Sequence, residues 1–153
     1  MNTKPILGSI DANRVRVISN LSLQIDNGLL QEWHCETIKA ARPNFVTGGV
    51  YRISGCTRIE GGIDRSWSLM LKVILADLNR NDPAHYNYWR REIDAYESGY
   101  LRHLPAGMKA PECYAIEAND DGSVWLWLED MTHESRAWQW SDYAYAATKL
   151  GEF

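Results

Sequence analysis

The stretch Trp67-Ser68-Leu69-Met70-Leu71-Lys72-Val73-Ile74 is predicted to form a buried β-strand that carries one lysine. A short apolar run with few polar residues is typical of a strand that is covered on both faces. A lysine in such a strand is costly unless an anionic group meets its ammonium. The next segment of the chain shows helical periodicity and contains glutamates, so the sequence itself offers a partner for Lys72.

Residues 83–104 are predicted to form one long amphipathic helix. Asp82 and Pro83 suit the cap and the first position of a helix, and Gly107 follows its predicted end. Apolar residues recur at steps of three and four, which indicates one buried face: Tyr86, Trp89, Ile93, Tyr96, Tyr100 and Leu104. Glu92 lies at one border of this face and Glu97 at the other. Either carboxylate could therefore reach the strand that carries Lys72, whereas Arg91 points to solvent.

Further strands are predicted on both sides of this unit. Before it, residues 33–41 form a strand that Arg42-Pro43-Asn44 ends, and residues 50–59 form a second strand with Gly55 as a possible bulge. After it, strands are predicted at residues 113–117 and 123–128. In the last of these strands the two tryptophans face one way and the aliphatic residues the other, so both faces should be covered.

The two ends of the chain carry different sequence patterns. Val15, Val17 and Ile18 could begin a strand, and the apolar residues from Leu21 to Leu30 fit either a short helix or a packed loop. Residues 141–150 are predicted to form a helix. The order of strands, long helix, strands and final helix predicts an α+β fold with an antiparallel sheet.

Composition limits the possible functions of the chain. Its 153 residues predict one domain with one core, and its net charge of −4 argues against sequence-independent binding of nucleic acid. The sequence has no 18-residue apolar stretch and no signal-peptide core, so we expect a cytoplasmic protein with no membrane partner. Three widely spaced cysteines predict free thiols. His34-Cys35 lacks a second ligand pair at zinc spacing, and no metal site is expected.

Five segments together resemble one known family. Their order and spacing are similar to the N-terminal lobe of the aminoglycoside phosphotransferase/choline-kinase-like superfamily, a branch of the protein-kinase-like fold. The resemblance covers roughly residues 33–150 and implies a five-stranded, mostly antiparallel sheet packed by one long helix. Residues 1–130 would form this lobe, and residues 131–153 the hinge exit and the first helix of a second lobe. The matching segments are residues 48–53, 67–73, 88–96, 110–114 and 125–131.

The resemblance implies a role in ATP binding for several residues. Lys72 matches the lysine that contacts the α- and β-phosphates, Glu92 matches its helix partner, and Glu97 is the fallback partner. Residues 47–51, with Gly48 and Gly49, occupy the phosphate-covering loop. Residues 128–131 match the hinge between lobes, where the Glu129 carbonyl and the Met131 amide would meet an edge of adenine.

The sequence departs from the family beyond the hinge. Members carry a His-x-Asp catalytic loop and then a metal-binding aspartate, but none of His34, His85, His103 and His133 fits that pattern. No catalytic or metal-binding residue is therefore assigned, and Mg²⁺ is expected only together with a C-terminal lobe. The chain is expected to be the nucleotide-positioning half of an ATP-dependent phosphotransferase acting on small-molecule hydroxyls, inactive alone.

The sequence also allows two alternative functions, and it predicts a partner for the C-terminal segment. The chain could be a non-catalytic module that keeps the lobe to bind a nucleotide or a protein. It could also be an unrelated α+β domain, in which case Lys72 should be exposed with no carboxylate nearby. Trp138 and Trp140 should lack a partner without a C-terminal lobe. Residues 131–153 are therefore expected to pack against that lobe or to form a homodimer with a second copy.

Overall fold

The computed structural model describes residues 10–38, 46–131 and 137–152. Within these ranges the chain forms five strands and three helices. The strands are β1 (Leu29–Thr37), β2 (Thr47–Arg58), β3 (Asp64–Leu75), β4 (Cys113–Ala118) and β5 (Ser123–Glu129), and the helices are α1 (Ala12–Leu23), α2 (Arg91–Glu97) and α3 (Trp140–Glu152). The strands form one antiparallel sheet in the order β1-β2-β3-β5-β4. The predicted α+β class with a five-stranded antiparallel sheet is confirmed.

The central strand β3 separates two apolar clusters. Leu69 and Leu71 point to the face that α1 covers, where Val15 and Ile18 pack against them in one cluster. Ile74 points to the opposite face and packs with Ile93 of α2 in the second cluster. Lys72 has the same parity as Ile74, so its side chain leaves the sheet on the α2 face.

Strand β5 is covered on both faces, as its alternating sequence predicts. Trp125 and Trp127 belong to the cluster under α1, and Leu126 belongs to the cluster under α2. All residues of the strand before Glu129 are buried. The predicted bounds of β4 and β5 are each within one residue of those observed.

Residues 12–23 form a helix, so the prediction of a strand near Val15 is wrong. The side chain of Asp11 accepts a hydrogen bond from the backbone amide of Arg14 at 2.7 Å and thereby caps the helix. Val15 and Ile18 lie three residues apart and are almost fully buried against the sheet, while Val17 is exposed. This spacing by three is the helical period, which the short sequence pattern did not distinguish from a strand.

The predicted helix over residues 83–104 is also wrong, because only Arg91–Glu97 is α-helical. The carboxylate of Asp82 accepts from the amide of Ala84 at 2.9 Å and forms a turn instead of a helix cap. Gly99 adopts a positive φ of 73° and leads into a 3₁₀ turn at Tyr100–Arg102. Tyr86 and Tyr100, which were predicted to lie on the buried face, are exposed.

Strand β1 begins before the predicted start at Trp33 and ends at Thr37. The predicted break at Arg42-Pro43-Asn44 lies outside the described residues. Gly55 is not a bulge, because it pairs in regular register with Trp33 and Trp67. A Cβ atom at Gly55 would collide with the backbone oxygen of Glu32 and with the ring of Trp67. The glycine is therefore required by the close approach of neighbouring strands.

Candidate functional site

The ammonium of Lys72 contacts the Glu92 carboxylate directly, and this contact confirms the predicted pairing. Lys72 is held on β3 between Val50 of β2 and Leu126 of β5, and Glu92 is the second residue of α2. The Nζ and Oε2 atoms form a part-buried ion pair. The Lys72 and Glu92 side chains remain 28% and 38% exposed, respectively, so the pair lies at a surface that a ligand can reach.

Glu97 does not contact Lys72, so the prediction of Glu97 as the alternative partner of Lys72 is wrong. Its carboxylate accepts from Nη2 of Arg90 at 2.9 Å, and the Nε of the same arginine donates to Asp94 at 3.1 Å. Because α2 begins only at Arg91, Glu92 lies in its first turn beside β3, whereas Glu97 ends the helix. The helix therefore presents one carboxylate to Lys72.

A cleft of about 310 Å³ opens beside the Lys72–Glu92 pair. Its walls come from the start of β2, from β3, from the turns before α2 and from α2 itself. Three cationic side chains and one carboxylate line it among the described residues, which favours an anionic ligand. The lining residues are Val46, Thr47, Lys72, Ile74, Arg80, Tyr86, Asn87, Tyr88, Trp89, Arg91, Glu92 and Ala95.

Gly48 and Gly49 lie inside strand β2 and not in a loop, which corrects the predicted phosphate-covering loop at residues 47–51. The register with β3 shifts between Thr47 and Gly49, so Gly48 is the extra residue of a bulge. A Cβ atom on Gly48 would lie 3.0 Å from side-chain atoms of Val73 and Leu75. The glycine therefore permits close strand packing here, and Thr47 is the residue of this segment that lines the cleft.

Glu129 is the last residue of β5 and Met131 follows two residues later, and neither lines the Lys72 cleft. The carboxylate of Glu129 accepts from Nζ of Lys109 at 2.9 Å and from the amide of Glu112 at 3.1 Å. These hydrogen bonds, with the Lys109 charge, lower the pKa of Glu129 below its ordinary value of 4.5. Met131 is half exposed. Of the six residues predicted to bind the cofactor, only Lys72 and Glu92 line the cleft.

Arg80 and Arg91 are cleft residues that the sequence did not reveal. Arg91 was expected to point to solvent, and it is exposed, but its guanidinium is anchored at the cleft. Nη2 of Arg91 donates to the carbonyl of His85 at 2.8 Å, and Nη1 donates to the carbonyl of Tyr86 at 3.0 Å. The turns of residues 81–90 create this arrangement, and a continuous helix would have left no such carbonyl groups.

The charge of Glu92 also acts on two groups on the other side of α2. Burial, with Glu92 as a second cause, raises the pKa of Tyr96 to about 12. Burial likewise raises the pKa of Cys113, and Glu92 adds to this effect. Both residues line a second cleft, of about 570 Å³, between α2 and β4. Because both groups stay protonated at neutral pH, neither is an anionic nucleophile.

If the chain were an unrelated α+β domain, Lys72 was expected to be exposed with no carboxylate nearby. The structure instead pairs Lys72 with Glu92.

The three cysteines are free thiols, as expected. Among the residues described by the structure, no three His, Cys, Asp or Glu side chains are grouped so that they could hold a metal ion. No helix in the described ranges is long and apolar enough to cross a bilayer.

The chain matches no protein-family model, no curated protein and no solved structure.

Proposed function

We propose that this chain positions a nucleotide by its phosphates at the Lys72–Glu92 cleft. It would be the nucleotide-binding half of an ATP-dependent phosphotransferase that acts on small-molecule hydroxyls. The observation that carries the proposal is the contact between Lys72 and Glu92 at the edge of an open cleft. A lysine on a central strand that is held by a glutamate on the packed helix is how kinase-type enzymes place the lysine that binds phosphate.

The residues of the cleft fit a phosphate chain. Lys72 and Arg91 supply donors with positive charge, and the first residues of β2 close one side. A volume of about 310 Å³ is at the lower end of the range for small-molecule sites. This space suits a phosphate chain better than a whole nucleotide. The base would extend away from the cleft, where the resemblance assigns adenine to the Glu129 carbonyl and the Met131 amide.

The roles of Lys72 and Glu92 in this proposal are distinct. Glu92 fixes the direction of the long lysine side chain. Without Glu92, the lysine would lose rotamer entropy when a ligand ordered it. The ammonium then donates to the ligand from a fixed position. The described residues are assigned nucleotide positioning alone, and no catalytic step is assigned to them.

Titration of the 153-residue chain with ATP, followed by calorimetry, tests the proposal. The Lys72→Met variant keeps the apolar stem and removes the charge, and we expect at least a tenfold loss of ATP affinity, about 1.4 kcal/mol. The matched control is Lys149→Met, which removes a lysine that pairs with Glu152 on α3. Equal ATP affinity in the two variants, or no ATP binding by the unmodified chain, would contradict the proposal.

A further inference from the structure

The first residue of α2, Arg91, is an arginine that is fixed in place before any ligand arrives. Both terminal nitrogens of Arg91 are bound to carbonyl oxygens, one from His85 and one from Tyr86. An arginine has five N–H donors, so these two bonds leave donors for a further partner. Because carbonyl groups are neutral, they orient the guanidinium without cancelling its charge.

The charged side chains at the cleft leave a net positive charge there. Lys72 is balanced by Glu92, and Nη1 of Arg80 lies 3.4 Å from the carboxylate of Asp77. The contacts of Arg91 to His85 and Tyr86 add no negative charge. After these pairings, the charge of Arg91 remains in excess at the cleft that Lys72 also lines.

The geometry of the turns before α2 is fixed by a tryptophan. The backbone amide of Trp89 donates to the carbonyl of Arg80 at 3.1 Å, and its indole Nε1 donates to Asn81 at 2.8 Å. Trp89 is itself buried in the cluster under α2. The start of α2, with Arg91 and Glu92, is therefore tied to the segment that carries Arg80. A site that is ordered in advance loses less entropy on binding.

We propose that Arg91 is a second phosphate-binding residue and that it makes the site select nucleoside triphosphates over monophosphates. This inference rests on the proposed function, since it assumes that Lys72 binds the same phosphate chain. Lys72 binds the phosphates nearer the sugar, and Arg91 binds the terminal phosphate at the outer wall of the cleft. A monophosphate reaches only the first of these cations. The ligand class is a nucleotide with at least two linked phosphates beyond the one attached to its sugar.

Titrations with ATP, ADP and AMP in metal-free buffer test this inference in the unmodified chain and in Arg91→Gln. The loss of one charged contact should weaken ATP binding about tenfold. AMP binding should change less than about twofold, so the ratio of ATP to AMP affinity should fall. The Arg91→Lys variant keeps the charge but not the two-carbonyl anchor, and it should give an intermediate ratio.

The matched control is Arg65→Gln, which removes the same charge at the opposite end of β3. Arg65 is exposed and lies seven residues from Lys72, roughly 23 Å along the strand. If Arg91→Gln and Arg65→Gln bind ATP equally while Lys72→Met binds it more weakly, the role of Arg91 is refuted and the proposed function stands. If Lys72→Met also leaves ATP affinity unchanged, or the unmodified chain binds no nucleotide, both are refuted.

Discussion

Arg52 on β2 and Asp130, the residue after β5, meet across the sheet although 78 positions separate them in the chain. Nε of Arg52 donates to Oδ2 of Asp130 at 3.0 Å, and the hydroxyl of Ser68 on β3 donates to the same oxygen at 2.5 Å. The Asp130 side chain is only 1% exposed. The end of β5 is therefore tied to β3 and, beyond it, to β2 at the point where the chain leaves the sheet.

Replacement of Asp130 by alanine should destabilise the fold. The change removes a buried carboxylate and leaves Arg52 and Ser68 without its two hydrogen bonds. Arg52 is 30% exposed and lies 3.5 Å from Glu36, so water and Glu36 offset part of the loss. We expect the free energy of unfolding to fall by about 2 kcal/mol, below the range for a fully buried pair. Urea unfolding followed by tryptophan fluorescence measures this.

The control for Asp130 is Asp64→Ala. Asp64 also pairs with an arginine, Arg58, but both side chains are nearly half exposed. Its loss should move the urea midpoint far less than the loss of Asp130. Equal shifts in the two variants would show that burial of Asp130 contributes nothing.

The Glu129–Lys109 interaction should make stability depend on pH. Because the pKa of Glu129 is lower in the folded chain than its ordinary value of 4.5, its contribution is present above that value. The contribution is lost as the pH falls through the folded-state pKa. At pH 7, Glu129→Gln should be less stable by about 0.5 kcal/mol, as is typical of partly exposed pairs. The difference should shrink towards pH 3.

Unfolding measurements on the unmodified chain and on Glu129→Gln at several pH values between 3 and 7 check this prediction. Glu32→Gln, which changes an exposed carboxyl group on β1, serves as the control. A difference between Glu129→Gln and the unmodified chain that stays constant over the whole range would contradict the assigned cause.

Gly55→Ala should be destabilising because no space exists for a methyl group. Its Cβ atom would collide with the Glu32 carbonyl oxygen of β1 and with the Trp67 ring of β3. Insertion of a methyl group into such packing costs about 1–3 kcal/mol. The control is Gly151→Ala in α3, where, apart from its chain neighbours and the backbone of its own helix, no atom lies within 4 Å of the new methyl group. That change should be neutral or slightly stabilising, since alanine favours helix. Thermal unfolding should show a lower melting temperature for Gly55→Ala and an unchanged or slightly higher one for Gly151→Ala.

The aromatic residues of α3 should promote association. Trp140 is 89% exposed, and Tyr143 and Tyr145 are more than half exposed. We expect a homodimer at tens of micromolar concentration, because a symmetric pair is the commonest way for a chain to cover such a surface. Trp140→Ser should shift sedimentation towards monomer, whereas Tyr86→Ser, at a similarly exposed site near α2, should not. A monomeric unmodified chain would exclude this association.

The sequence predicted the sheet well because strand patterns are local. The alternation in residues 123–128 depends only on which neighbours face the same way, and both faces of β5 are covered, as predicted. That Lys72 needs a carboxylate partner could also be predicted from sequence, since an apolar strand makes an isolated lysine unfavourable, but periodicity left Glu92 and Glu97 both open and only the resemblance favoured Glu92. That requirement holds whichever helix supplies the carboxylate.

The helix before β4 could not be predicted in the same way. Trp89 and Ile93 are buried at helical spacing, but the preceding turns depend on side chains that compete for backbone groups. Asp82 binds the amide of Ala84, and Asn81 binds the indole of Trp89. The role of Asp130 was missed for a different reason. Its partner Arg52 lies on a distant strand, and no periodic pattern in the sequence connects them.

Strands β1 and β4 are the two outer strands of the sheet, and each has an irregularity in its pairing. The register shifts between Leu30 and Glu32 in β1 and between Cys113 and Ala115 in β4. Bulges and charged residues at a sheet edge hinder the addition of a strand from another molecule. Among the described residues, the irregular pairing of both outer strands therefore opposes the addition of a further strand at either edge of the sheet.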